Sequence, residues 1–304
     1  MRPFILLLTS AVSIVAITAG AHATLTASTI LNDFNAVIYT NASTSSEVEG
    51  AAVIGGNLNL NSATIFSRPP RSQLTGFGAL TVYGNTSGNT INIDNGGNAY
   101  VGGTRGATIS FNGGLYTTAA PPDTIANFET PLNALSQSLM LLAPTASLPT
   151  LGNNTVFSAV PGANGIAVFD ITGAQLATQN LGFSINLNGA TSVVFNVSGN
   201  SDFSANDQSV ATGADNIIWN FYDATSVTIG DQLGGTVLAP NATVTNNNQI
   251  DGTLVANVWT GNGELHNDPF TGTLPPAPVP EPTTLAILGV GLAALGLIRL
   301  RQTA

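Results

Sequence analysis

The sequence predicts an all-β protein: a right-handed β-helix or solenoid-like domain with one packed α-helix, between an N-terminal signal and a C-terminal single-span helix. Three observations carry this. The 304-residue chain holds 33 Gly, 32 Asn and 37 Thr beside 43% apolar residues, which suits short strands and tight turns better than helices. Short motifs return at fixed spacings, as in repeat architectures. A single stretch carries a helical apolar stripe.

In chain order, residues 1–23 come first. Arg2, the apolar stretch Phe4 to Ile17 and the small-x-small run Ala21-His22-Ala23 are the three parts of a secretory signal peptide. Cleavage is expected after Ala23. The alternative is an uncleaved anchor helix, but the apolar run is short for a bilayer.

Residues 24–274 form the exported domain. In its first half Val82, Ile91, Tyr100 and Ile109 recur every nine residues, and Gly88, Gly97 and Gly106 share that spacing. In its second half Gly235-Thr236-Val237-Leu238-Ala239 returns 17 residues later as Gly252-Thr253-Leu254-Val255-Ala256, and Val227-Thr228 returns as Val244-Thr245. Seventeen residues is about one turn of a narrow β-helix, whose aliphatic residues stack inward while Asn, Gly and Thr form the corners. Gly50-Ala51-Ala52-Val53-Ile54 has the same small-then-aliphatic pattern and reads as a distant rung of that coil. A β-sandwich of short strands has a similar composition and is the alternative architecture.

Between the two repeats Ile125, Phe128, Leu132, Leu135, Leu139 and Leu142 alternate three and four apart, predicting a helix from about Asp123 to Leu142 with one apolar stripe. Asp123 is the expected N-cap, and Pro144 follows the end. Pro131 either kinks this helix or marks its true first turn. The stripe is expected to cover the side of the solenoid, because a free one on a secreted domain would aggregate.

Residues 275–282 are a Pro-rich linker, and residues 283–304 are an apolar segment ending in Arg299 and Arg301. Thr283 to Ile298 span roughly 24 Å as a helix, against an apolar bilayer core of about 30 Å. The basic end should stay cytoplasmic, leaving the domain outside. The run Val279-Pro280-Glu281-Pro282-Thr283, with the apolar segment and Arg-containing end, resembles the PEP-CTERM sorting signal. That resemblance implies processing by an exosortase-type membrane protease in a Gram-negative bacterium that makes exopolysaccharide, a transient inner-membrane anchor, and delivery to the surface or matrix. Pro280, Glu281 and Pro282 are its signal residues. A plain single-span anchor is the alternative.

Charge excludes several functions. The chain has no Lys and a formal net charge of −10. Residues 24–280 hold 15 acids against three Arg, Arg68, Arg71 and Arg105, a net of −12. Nucleic-acid binding needs clustered cations that are missing here. Without Cys there is no disulfide, thiolate nucleophile or Cys-ligated zinc. Attraction to an acidic polymer needs bridging divalent cations, so a neutral or cation-bridged exopolysaccharide is the better ligand class.

Other segments resemble the choice-of-anchor A domain. They are Leu31-Asn32-Asp33-Phe34-Asn35, Ser46 to Gly50 and Ile54 to Leu58 at its opening, and Asn216 to Phe221, Val237 to Ala242 and Gly263 to Phe270 at its close. The match spans roughly residues 30 to 272, with loops Ser67 to Thr75 and Gly199 to Gln208 unmatched. It implies an adhesive surface domain shown on varied anchors; no general enzymatic activity is implied by it, and it transfers no binding residue.

Reactive candidates are few. After signal cleavage His266 is the sole His, with Glu264 two residues before and Asp268 two after, which share one face of an extended strand. Such a trio can orient the imidazole or start a metal site, but a metal needs more ligands, and a turn-stabilising role is the simpler expectation. Asp202, Asp207 and Asp215 line a Gly- and Asn-rich stretch without EF-hand order, so a solvated acidic loop is expected over a calcium site. Thr81, Thr90 and Thr108 recur at nine residues, broken by Ala99; Thr ladders on flat solenoids can bind ice or crystalline polysaccharide, but Thr is also a common strand residue. The Asn-x-Ser/Thr triplets at Asn41 and Asn196 fall within what this composition produces by chance.

No catalytic, cofactor or metal residue is nominated. The expected function is that of an exported cell-surface or matrix protein, an adhesin or exopolysaccharide-associated protein. A glycan-active hydrolase or lyase on the same scaffold is the alternative; it calls for a cleft with two carboxylates and an aromatic such as Trp219 or Trp259. A non-binding structural matrix component is the third class.

Overall fold

The structure is a computed structural model and describes residues 25–69, 74, 76–178, 181–204, 206, 207 and 213–276. The signal cleavage at Ala23, the sorting residues Pro280, Glu281 and Pro282 and the expected span 283–304 lie outside these residues. Among the described residues no helix is long and apolar enough to cross a membrane.

The chain opens with α1 (Ala27–Asp33), started by the Thr26 hydroxyl, which accepts from the Thr29 N–H at 3.1 Å. Ten short strands follow: β1 (Ala36–Ile38), β2 (Ala42–Thr44), β3 (Ala52–Ile54), β4 (Leu58–Leu60), β5 (Ala63–Ile65), β6 (Leu80–Val82), β7 (Thr86–Gly88), β8 (Thr90–Ile93), β9 (Ala99–Val101) and β10 (Thr108–Phe111). After α2 (Ile125–Met140) come β11 (Asn153–Ser158), β12 (Ile166–Thr172), α3 (Gly173–Leu176), β13 (Gly182–Asn186), β14 (Ser192–Ser198), β15 (Ser201–Phe203) and β16 (Asn206–Asp207). The last rungs are β17 (Ile217–Phe221), β18 (Ser226–Ile229), β19 (Leu233–Gly234), β20 (Thr236–Asn246), β21 (Ile250–Asp251), β22 (Leu254–Gly261) and β23 (Leu265–His266).

Strands pair in parallel with their equivalents above and below, which makes a three-faced solenoid and rules out the antiparallel sandwich. The first face stacks β12-β14-β17-β20-β22-β1-β3-β6-β9. The second runs through β15, β18, the later parts of β20 and β22, then β2, β4 and β7. On the third, β11-β13-β16 lie at one end, β19-β21-β23 in the middle and β5-β8-β10 at the other end, with Val48 bridging Leu265 to Ile65.

The chain therefore does not wind from one end to the other. It starts in the middle at β1, descends to β10, crosses by α2 to the far end and winds back until β22 meets β1. Ala36, Val37 and Ile38 pair with Leu254, Val255 and Ala256 on one side and with Ala52, Val53 and Ile54 on the other. The Gly50–Ile54 segment is thus two rungs from the second repeat, as its pattern predicts.

The 17-residue repeat is one coil: Val237 pairs with Leu254, Ala239 with Ala256, and Val227 with Val244. Gly235 and Gly252 have φ of 116° and 157°, and a Cβ on Gly252 would stand 2.4 Å from the Gly235 carbonyl oxygen. Only glycine fits where these corners cross. The nine-residue repeat is a half-coil. Ile91 pairs with Ile109 on the third face, whereas Val82 on the first face pairs with Val101, and Thr81, not Val82, pairs with Tyr100. Corner asparagines support the next rung: Asn41 Oδ1 accepts from Asn57 N–H (2.8 Å), Asn57 Oδ1 from Asn85 N–H (2.9 Å) and Asn85 Oδ1 from Thr104 N–H (2.7 Å).

Inside the coil Phe169, Phe195 and Trp219 are in register, and their rings stack at 5.2 and 4.1 Å. Helix α2 lies along the outside of the first face with Phe128, Leu132, Leu135 and Leu139 buried, so the stripe covers the solenoid. Two details differ from expectation. The N-cap is Thr124, not Asp123, because Asn127 Oδ1 accepts from the Thr124 N–H at 2.9 Å. Pro131 sits inside the helix and not in its first turn.

Candidate functional site

The His266 group forms at the seam where the C-terminal rungs meet the N-terminal ones. Strand β23 places His266 beside Asp251 of β21, with Nδ1 2.6 Å from Asp251 Oδ1, while Nε2 lies 3.1 Å from Glu264 Oε2. The Asp251 hydrogen bond is the largest influence on the ring; with Glu264 and Glu49 it outweighs burial and raises the His266 pKa to about 9. Asp268 does not bond the imidazole. It faces Arg68 at 3.9 Å, and burial raises its carboxyl pKa despite that cation. Arg68 also pairs with Glu49 at 3.0 Å, and Glu49 Oε2 accepts from the Asn267 N–H at 2.7 Å.

Glu49 and Asp268 are engaged across the seam, whereas Asp251 and Glu264 hold the imidazole from within the C-terminal rungs, and among the described residues no group of three His, Asp or Glu is placed to hold a metal. The arrangement clamps rungs together.

The second face presents a feature of another kind. Its strands read inward, outward, inward, and the outward positions fall into one column: Asp202, Thr228, Thr245, Thr260, Ser43, Asn59 and Ser87. Six steps at a strand spacing of about 4.8 Å give a row roughly 29 Å long. It carries hydroxyls and one amide, with a single charge at its Asp202 end. Thr245 and Thr260 are tied by a 2.9 Å hydroxyl–hydroxyl hydrogen bond. Beneath the row Val227, Val244, Trp259 and Leu58 are buried and fix its backbone.

Sequence reasoning misses this column. The signal that finds it is the local triplet of one polar residue between two inward ones, as in Leu58-Asn59-Leu60 and Val227-Thr228-Ile229. The threonines that recur at nine residues form no column, in keeping with ordinary strand usage. Thr81 is buried on the first face, 1% exposed, whereas Thr90 and Thr108 are exposed neighbours on the third.

The remaining candidates scatter. Asp202 ends the second-face column, Asp215 holds the Thr271 hydroxyl at 3.0 Å, and the Asp207 side chain lies outside the described residues. Asn41 supports a corner, and buried Asn196 donates to the Leu139 carbonyl of α2 at 2.8 Å. Trp219 and Trp259 are core residues, 0% and 1% exposed, so neither presents a ring to a cleft. Four shallow clefts of about 320–500 Å³ are formed by described residues; Asp33 lines one, Asp170 another, and the other two are lined without a carboxylate.

Comparison with known proteins gives two family matches. The "Putative Ice-binding-like adhesive domain" matches residues 27–267, and the PEP-CTERM protein-sorting motif matches residues 278–302. No curated protein matches. Among solved structures, an ice-binding protein from the Antarctic ascomycete Antarctomyces psychrotrophicus is 16% identical, covering 78% of this chain and 95% of that one, with a TM-score of 0.39. An ice-binding protein from an Antarctic bacterium, Flavobacteriaceae, is 13% identical over 78% of this chain and 77% of that one, with a TM-score of 0.33. Another, from an Antarctic biological consortium, is 15% identical over 84% and 94%, with a TM-score of 0.27. At such scores the structural likeness is too slight to carry a ligand or a fold across. The family match is another matter, since it covers most of the chain, and with the sorting motif beyond it this chain belongs to the ice-binding-like adhesive domain family as an exported surface protein.

Proposed function

We propose that this protein is a surface adhesin whose binding surface is the second-face column, and that its ligand is a neutral, hydroxyl-rich polymer such as an exopolysaccharide. The carrying observation is the seven-residue row from Asp202 to Ser87, almost uncharged and held in register by the coil. A repeating row of hydroxyls suits a repeating partner, because each added contact uses backbone that is already ordered and costs little further entropy. The net of −12 over residues 24–280 disfavours acidic polymers unless cations bridge them.

The sorting motif supports delivery by an exosortase-type protease with loss of the tail, after an initial stay in the inner membrane of a Gram-negative cell. The domain order, with signal 1–23, domain 24–274, linker 275–282 and tail 283–304, and the choice-of-anchor A arrangement fit this route. Mass measurement of the surface-released protein tests it: cleavage after Ala23 and near Pro280–Pro282 is expected, and an intact 304-residue mass overturns it.

The test of the ligand is a pull-down of the exported protein on insoluble neutral glucan, beside the double variant Thr245→Lys/Thr260→Lys. Wild type should be retained and the variant lost by tenfold or more. Because the family is described as ice-binding-like, growth of ice crystals in the presence of both proteins is a second arm. Retention of both proteins alike would remove the second face from the function.

A further inference from the structure

We propose that the two ends of the coil are complementary surfaces that join copies of this chain head to tail. A solenoid has two open ends, and here they are matched. At one end the third face finishes in β10, whose ladder partner is β8; at the other it begins with β11, whose ladder partner is β13. Both ladders are parallel and both edges belong to the third face.

The neighbouring first-face edges are covered by the chain itself. Tyr116 bridges to Ala99, with Thr117 N–H donating to the Ala99 carbonyl at 2.8 Å; Thr145 N–H donates to the Val168 carbonyl at 3.0 Å and its hydroxyl accepts from Val168 N–H at 2.9 Å. Among the described residues β10 and β11 have no such cover. Their sequences, Thr-Ile-Ser-Phe and Asn-Asn-Thr-Val-Phe-Ser, contain neither charge nor proline, two of the devices that blunt an edge, and the irregularity at Asn154 leaves Thr155 to Ser158 in regular register.

Two further observations select a second copy as the occupant. Exposed large apolar side chains occur toward these ends: Leu115 (60% exposed) after β10, Val156 (49%) in β11 and Val160 (51%) just after it. Charge is also withdrawn from both. Residues 95–122 hold one charged residue, Arg105, and residues 130–201 hold one, Asp170, so the ends differ in sign while the acids concentrate elsewhere. Two copies of a strongly acidic protein meet with least repulsion through these ends. Because all strands run the same way around the axis, a copy shifted along that axis lays its β11 parallel to β10 of the copy before. Such a contact is heterologous and does not close, so it builds a filament and not a dimer. In a chain of copies the second-face columns recur along the axis, separated at each joint by α3 and the Arg105 turn, which multiplies the attachment proposed above, although the association itself does not depend on that reading.

The test is sedimentation velocity of the exported mature protein across a wide concentration range, with two variants: Leu115→Lys at the β10 end and Val156→Lys/Val160→Lys at the β11 end. Wild type should at least double its weight-average mass as concentration rises. Each variant alone should stay monomeric, and an equal mixture of the two should form dimers and stop there, since one good β10 end and one good β11 end remain. The chain has no Cys, so Ser110→Cys mixed with Ser158→Cys gives an independent reading through disulfide-linked dimers, absent from either alone. A wild type that stays monomeric throughout, or a mixture that does not dimerise while both variants melt like wild type, overturns the proposal. Loss of glucan retention with association intact strikes only the adhesive reading.

Discussion

The Asn35 side chain donates to the Gly252 carbonyl at 2.8 Å across 217 residues of sequence. The same amide donates to the His266 carbonyl at 2.9 Å, and its oxygen accepts from Gly50 N–H at 3.0 Å. One side chain, 2% exposed, thus stitches the first rung of the chain to its last two and to its second. Asn35→Ala leaves two carbonyls and an N–H without that partner, at about 1–3 kcal/mol for each group that water does not reach. Urea unfolding should show a clearly lower midpoint, and Asn35→Asp should fall further, because a carboxylate would face two carbonyl oxygens. An unchanged midpoint for Asn35→Ala would mean that the seam holds by strand pairing alone.

A second buried network holds α2 to the coil. Asn220, fully buried, donates to the Ser136 carbonyl and to Asn196 Oδ1, both at 2.9 Å, while the Ser136 hydroxyl donates to Asn220 Oδ1 at 2.7 Å. Asn220→Leu fills the volume but orphans these groups, so a loss of about 2–4 kcal/mol is expected. Combining it with Ser136→Ala should cost less than the sum of the two single losses, and a double-mutant cycle by denaturant titration checks that coupling.

At the other end of α2, Phe34, Phe77 and Phe128 meet edge to face with centroids 5.3–5.5 Å apart. Phe128 is fully buried and joins the helix to α1 and to the loop before β6. Phe128→Ala should destabilise by about 3–5 kcal/mol through lost transfer energy and the cavity left behind. Limited proteolysis should then cut within α2 first, since that helix is held by one stripe.

How far the sequence reveals this molecule follows from rung length. Gly235 and Gly252 mark two consecutive corners with equal spacing, so their motif repeats visibly. Elsewhere the paired positions are 16 residues apart from Ala36 to Ala52, 28 from Ala52 to Leu80 and 26 from Ile166 to Ser192, and no fixed period can align them. That is why the half-coil reads as a nine-residue unit and why Thr90 follows Thr81 in the count although the two lie on different faces. The pairing of β1 with β22 has no local trace, because its determinants lie at opposite ends of the chain. The helix is legible because its stripe depends on local spacing alone. His266 and Glu264 come together as the strand period predicts, whereas the larger partner, Asp251, comes from the neighbouring rung and is invisible to any count along β23.

That imidazole makes the stability of the last rungs depend on pH. Both ring nitrogens face carboxylates, Asp251 at 2.6 Å and Glu264 at 3.1 Å, so the protonated ring is favoured and the folded pKa rises from 6.5 to about 9. A pKa raised on folding means that the native state holds the proton more tightly than the unfolded chain does. The contribution is therefore fully present below about pH 6.5, shrinks as pH climbs through the interval, and is gone above about pH 9. His266→Gln removes the titration but keeps a polar side chain at the site. Melting temperatures measured from pH 6 to pH 10 should fall for wild type relative to the variant, with the gap widest at the acid end and closed at the alkaline end. Parallel curves for the two proteins would show that Asp251 and Glu264 do not hold the proton on His266, and that the last rungs are joined by strand pairing alone.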